Sequence, residues 1–185
     1  MAQLEPVTLA EMKTHLRVDH DDEDAYIQSL ITAAREYVEE QTGRRLMNTT
    51  EYQYYAGWPT EMELRWSPLS SVTSIVYVDT SDTTQTCSSS VYDVDTAEVP
   101  GRVRQAYGQT WPTNRGHEND ITVTYVAGYG ATADSVPERA KHAIKLIAAN
   151  WYEHREAATD GKAPVEVPMA ATSLLWNLKV PNFCS

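Results

Sequence analysis

The sequence predicts an α+β protein: a small α-helical bundle formed by its N- and C-terminal segments, with an antiparallel, β-sandwich-like domain inserted between them. Three observations predict this. Apolar residues recur at helical spacing from Leu9 to Val38 and again from Ala140 to Trp151. Between Thr49 and Tyr129 the period drops to two and strand-favouring residues dominate. Turn-forming clusters then divide that middle stretch into short lengths. The helical body is expected over residues 1–46 and 131–185, and the inserted β domain over 47–130. A chain of 185 residues suits one domain carrying an insertion, and it buries about two thirds of its unfolded surface on folding.

The first helix is expected to start in "VTLAEMKTHL". Thr8 caps the backbone, Glu11 reaches back to complete a capping box, and Val7 with Met12 forms a hydrophobic staple. Leu9, Met12 and Leu16 give this helix one apolar side. The second helix follows "DHDDED", whose carboxylates favour the positive end of a helix dipole. Its stripe is Ile27, Leu30, Ile31, Ala34, Tyr37 and Val38, which leaves Arg35, Glu36, Glu39 and Glu40 off the buried side. Gly43 fits the left-handed position that ends a helix, with Arg44 and Arg45 placed to complement the last carbonyls.

Strands are expected in "TTEYQYYAGW", "MELRW", "SVTSIVYVDT", "SVYDVD", "RVRQAYG" and "DITVTYVAGYG". The alternation falters at Ile75 and Val76, which reads as burial on both faces there. A third helix is expected in "SVPERAKHAIKLIAANWYEHRE", with Ser135 and Glu138 as a second capping box and a stripe of Ala140, Ala143, Ile144, Ile147, Ala148 and Trp151. This helix is expected to pack on the second. The last helix lies in "PMAATSLLWNLKV", and its Leu174, Leu175 and Trp176, together with Phe183, either close the core or serve a partner.

The formal charge is −11, with 5 basic and 10 acidic groups in residues 1–46, 4 and 10 in 47–130, and 6 and 6 in 131–185. Such a surface repels phosphates and argues against sequence-nonspecific DNA binding, while suiting a protein past which DNA slides without sticking. No apolar run is long enough for a membrane span, and the opening residues lack the pattern of a secretion signal, so a soluble protein made in the cytoplasm is expected. Cys87 and Cys184 are too few for a disulfide framework and lack metal-site spacing, and both read as reduced thiols.

The search for chemistry returns little. Asp19, Asp21 and Glu23 alternate oxygen ligands but lack the glycine and the spaced glutamate of a calcium loop. His142 and His154 stand twelve residues apart, too far for a zinc pair on one helix, and His15 and His20 straddle the end of the first helix. No nucleophile elbow surrounds Cys87 or its neighbouring serines, and "AGYGA" lacks the lysine of a phosphate loop. The expectation is an absence of catalytic, metal or cofactor residues. A hydrolase reading rests on two carboxylate pairs, Asp93 with Asp95 and Glu61 with Glu63, each sharing one face of a strand. A carbohydrate- or protein-binding module, the alternative function, rests on the tyrosine- and tryptophan-rich middle region, including Tyr52, Tyr54, Trp58 and Trp111.

The segments "VTLAEMKTHLRVD", "DDEDAYI", "AAREYVEEQTGR", "SPLSSVTSIVYVD", "YDVD", "WP", "ITVTYVAGYG" and "VPERAKHAIKLIAANWYEHRE" occur in that order along nearly the whole chain. In this succession the sequence resembles the head-tail connector proteins, also called adaptors or head-completion proteins, of long-tailed bacteriophages and gene transfer agents. The resemblance implies a structural virion neck protein, not an enzyme. Its copies would form a ring under the portal protein, twelve-fold to match it, extending the DNA channel and linking the head to the stopper or tail-completion protein. DNA would pass without specific binding. The C-terminal segment of such proteins reaches toward the portal, which makes Leu174, Leu175, Trp176 and Phe183 the candidate portal or partner contacts.

Overall fold

The computed structural model describes residues 4–154 and 167–181, which divide into two compact units. One holds residues 4–47, 130–154 and 167–179, the other residues 48–129 with 180 and 181. Phe183 and Cys184 lie outside the described residues.

The first unit is helical. Helix α1 (Leu9–Leu16) carries the expected capping box: Glu11 N–H donates to Thr8 Oγ1 at 3.2 Å, and Thr8 N–H donates to Glu11 Oε2 at 2.8 Å. That backbone donor holds the Glu11 carboxyl below its usual range. Val7 and Met12 are both inaccessible, as a staple requires. Helix α2 (Asp24–Thr42) ends at Gly43 with φ 70°, a left-handed conformation that glycine adopts without a Cβ penalty. Its stripe is buried at Ile27, Ile31, Ala34 and Val38, with Leu30 and Tyr37 half-buried.

Arg35 and Glu39 depart from expectation. Both are buried and not off the stripe, because each finds charged partners inside the unit. Arg44 and Arg45 also act otherwise than predicted. Arg44 Nε donates to the Leu178 carbonyl at 2.5 Å, whereas Arg45 Nη1 donates to Glu39 at 3.0 Å.

Helix α3 (Glu138–Glu153) packs on α2 and on α4 (Met169–Trp176). The second capping box does not form. Ala133–Ser135 makes a short 3-10 turn, Pro137 is the N-cap residue, and the Ser135 hydroxyl lies 3.4 Å from that of Thr132. A proline at this position fixes an extended entry to the helix, so Ser135 lies too far upstream to cap it. Ala140, Ala143, Ile144, Ile147 and Ala148 are inaccessible, while Trp151 is half-buried and meets Tyr37 edge to face at 6.3 Å.

The second unit contains seven strands: β1 (Thr49–Tyr55), β2 (Glu61–Glu63), β3 (Leu69–Val78), β4 (Thr84–Thr86), β5 (Tyr92–Asp95), β6 (Arg102–Gln105) and β7 (Ile121–Ala127). Pairing is antiparallel throughout, in a four-stranded sheet ordered β1-β7-β3-β4 and a three-stranded sheet ordered β2-β6-β5. Both sheets turn apolar side chains to one core, with Met62, Leu64 and Val103 from the smaller sheet region meeting Ile75, Ile121, Val123 and Tyr125 from the larger. The fold class is therefore α+β with a sandwich-like β unit.

β7 sits in the centre of its sheet and shows the cleanest alternation, with Ile121, Val123, Tyr125 and Ala127 buried. The expected burial on both faces near Ile75 and Val76 is not found: Ile75 is inaccessible, but Val76, on the other face, is only half-buried. Register shifts fall upstream, between Leu69 and Ser71 and between Val72 and Ser74, and the pairing then runs regularly from Ser74 to Tyr77. β4 was not anticipated, since "TQT" is a three-residue edge strand with every residue exposed and has no apolar pattern to reveal it.

Candidate contact surfaces

Of the predicted partner-contact residues, Leu174, Leu175 and Trp176 sit on α4, where the structure separates them, and Phe183 lies outside the described residues. Leu175 is 3% exposed, and Ala171 on the same side is inaccessible, so this side holds α4 to the bundle. Leu174 is half-buried. Trp176 is 73% exposed and Met169, two turns earlier, is 87% exposed, so these two form an outward apolar pair. The Lys179 ammonium lies 6.0 Å from the centre of the Trp176 ring. Leu178 follows the helix and is 7% exposed, and its carbonyl takes the Arg44 hydrogen bond.

At the end of α2 lies a charged cluster that periodicity alone did not reveal. Arg35 donates to Glu5 at 2.9 Å and to Glu39 at 3.0 Å. Glu39 also accepts from Arg45 at 3.0 Å and from the Leu46 backbone N–H at 2.9 Å. Each buried charge is thereby neutralised and hydrogen-bonded, which is the condition for tolerating it inside a protein. The cluster ties the N-terminal segment, the helix and the chain leaving Gly43 into one piece. A Glu at i+4 from an Arg, followed by two more arginines, was the available signal.

The outer faces of the two sheets differ sharply. On the four-stranded sheet, the row Tyr52, Thr124, Ser74 and the adjoining row Tyr54, Thr122, Val76 lie on the side away from the core. Tyr52 and Tyr54 are 60% and 55% exposed. The free edge of β1 is closed off by Gln53, which donates to the Glu63 carbonyl and accepts from the Arg65 N–H, each at 2.9 Å. Other aromatics serve the interior of this unit. Trp58 and Trp111 stack at 4.4 Å and Tyr77 meets Trp58 edge-on at 5.8 Å, while Tyr125 is 1% exposed.

The outer face of the three-stranded sheet is a charge ladder. Register places Glu61 and Asp93 on either side of Arg104, and Glu63 and Asp95 on either side of Arg102. Arg102 lies 3.4 Å from Glu61 and 3.2 Å from Glu63, and Arg104 lies 3.0 Å from Asp95. These are the four carboxylates of the hydrolase reading, brought onto one face, where Glu61, Glu63 and Asp95 pair with guanidiniums and Asp93 stands opposite Arg104. Asp95 is held below its ordinary range, first by the Ala97 N–H and further by Glu98 N–H and Arg104, the reverse of what a general acid requires. Cys87 is free and buried, and burial pushes its thiol up, away from the reactive thiolate.

His15 and His142 meet edge to face at 6.5 Å, between α1 and α3. Asp21 and Asp24 both bind Lys13, at 2.5 and 2.8 Å, so part of the acidic run serves an ion pair within the helical unit. Among the described residues no group of His, Cys, Asp and Glu is arranged to hold a metal, and no helix is long and apolar enough to cross a membrane.

The fold and its surfaces define a contact-making structural protein: a helical bundle with an inserted sheet unit whose outer faces carry tyrosine in one case and paired charge in the other. A family model described as "Phage gp6-like head-tail connector protein" matches residues 6–173, and the chain belongs to that family of structural head-tail connectors. None of the curated proteins matches the sequence.

Among solved structures, the chain is similar to one from the neck of an empty gene transfer agent particle computed with C6 symmetry, at 20% identity, TM-score 0.79, covering 100% of this chain and 98% of that one. It is similar to a chain of the virion of a native gene transfer agent particle, at 22% identity, TM-score 0.79, covering 97% and 92%. A chain of the native particle's neck computed with C12 symmetry matches at 21% identity, TM-score 0.73, covering 100% and 98%. These likenesses extend the shared fold over both units.

Proposed function

We propose that this chain is a virion neck protein whose copies form a ring, twelve-fold where it meets the portal, extending the DNA channel and linking the head to the stopper or tail-completion protein. The observation that carries this reading is the head-tail connector family match over residues 6–173. The protein is made in the bacterial cytoplasm and acts in the particle. It carries out no catalytic step: Glu61, Glu63 and Asp95 of its smaller sheet face are tied to Arg102 and Arg104, and its cysteine within the described residues is buried. A net charge of −11 suits a wall past which DNA moves without being held. The exposed pair Met169 and Trp176 on α4 is the part of the C-terminal segment offered to the portal, with Leu175 anchoring that helix from the other side.

The test is to mix the purified chain with the portal ring encoded in the same gene cluster and weigh the complex by light scattering, with negative-stain images alongside. A stoichiometric second ring on the portal is expected. A chain that stays monomeric beside an intact portal contradicts the reading.

A further inference from the structure

The outer face of the four-stranded sheet is uncharged in a chain that has 26 acidic and 15 basic residues. Its rows hold tyrosine, threonine, serine and valine, and Thr86 extends the second row onto β4. A sheet face left to water commonly carries Lys or Glu, whereas contact surfaces are depleted in charge and enriched in tyrosine. Tyr52 and Tyr54 also supply large, rigid area at little entropic cost.

The charges on the chain indicate what covers this face. Two copies that each carry −11 repel, so a close contact between them needs at least one side without carboxylates. The other sheet presents the complement. There Glu61, Glu63 and Asp95 share two guanidiniums and Asp93 is bonded to neither, which leaves acceptor positions that hydroxyl donors can fill without adding charge. Arg104, with 53% of its side chain exposed, offers a planar cation for a tyrosine ring. Because both sheets turn their inner sides to one core, these two faces point away from each other. A subunit with two different, opposed faces makes a heterologous contact, which closes into a ring where the rotation between neighbours completes a circle.

We infer that the Tyr52 and Tyr54 face of one copy docks on the Arg102 and Arg104 ladder of the next copy. This rests on the ring reading above and names the surfaces that build the ring.

The experiment places a photo-reactive benzophenone amino acid at position 52 and purifies particles assembled in the producing cell. Irradiation is expected to yield a band at twice the 20.8 kDa of the chain, with the cross-link in the peptides bearing residues 61–63 or 92–105. A cross-link to a different polypeptide, to this chain outside those peptides, or no cross-link at all overturns the inference. In parallel, Tyr52→Glu, at a position exposed enough to leave folding intact, is expected to lower the copies per particle by about tenfold. Unchanged incorporation counts against the proposed face. Wild-type particles that contain the chain but give the wrong cross-link leave the ring standing and remove only this interface. Wild-type particles that lack the chain remove both readings.

Discussion

Arg35 donates to Glu39 one helical turn later at 3.0 Å, and their side chains are 3% and 1% exposed. Glu39 accepts at the same time from Arg45 and from the Leu46 N–H, so its carboxylate joins the end of α2 to the strand-bound chain that follows. Replacing Glu39 by Ala takes one carboxylate from the buried Arg35, which keeps Glu5, and orphans the buried Leu46 amide. A loss of about 1–3 kcal/mol is expected, measured by urea unfolding of the whole chain. Glu39→Gln keeps the amide's partner and is expected to lose less.

Leu175 and Trp176 of α4 separate folding from assembly. Leu175→Ala empties a buried site and is expected to cost about 2–4 kcal/mol. Trp176→Ala removes an exposed side chain and is expected to leave stability within about 0.5 kcal/mol, while weakening attachment to the portal in the light-scattering assay. If Trp176→Ala binds the portal as the parent does, the α4 contact is wrong.

Gly101 marks a close approach in the β unit. A Cβ there would lie 2.4 Å from the Leu69 Cβ, while its carbonyl accepts from the Leu64 N–H at 2.9 Å. Leu69 cannot retreat by changing rotamer because the clash is at its own Cβ. Gly101→Ala is expected to destabilise by about 1–3 kcal/mol, visible as a lower melting temperature. At Gly130 the added Cβ meets the Ser135 side chain at 2.4 Å, and a Gly130→Ala, Ser135→Gly pair relieves that contact.

Burial lowers the His15 pKa below 6.5, and His142 and Lys145 push in the same direction. The unfolded chain therefore takes up the proton first as pH falls. The stability tied to neutral His15 is fully present above the unfolded value and is lost as pH drops through the folded one. Melting temperature should fall between about pH 7 and about pH 5, and less steeply in His15→Gln. Equal slopes in the two proteins exclude His15 as the group responsible.

Local signals were legible wherever a few neighbouring residues decide the conformation. Thr8 with Glu11 determined a helix start, Gly43 a helix end, and the stripes of α2 and α3 followed from residues repeating within one turn of one another. The alternation of Ile121, Val123, Tyr125 and Ala127 marked the central strand. The hydrogen-bond and charge partners of these elements were not legible, since those contacts join residues distant in the chain. Arg35 and Glu39 look like surface residues until Glu5, 30 residues away from Arg35, is folded beside them.

The same holds for the contact surfaces. The tyrosines and the acidic residues were visible as residue types, yet only pairing β1 to β7 and β2 to β6 gathered Tyr52 with Thr124 on one sheet and Glu61 with Arg104 on the other. By itself the sequence determined the α+β class, most element positions and the family resemblance, because propensity, capping and periodicity act over short range. Tertiary structure alone decided which charges are buried, where β3 bulges, that Leu175 faces inward while Trp176 faces out, and that an uncharged face and a charged ladder stand back to back. Those outcomes depend on long-range packing, which brings together groups whose desolvation must be balanced by partners far along the chain.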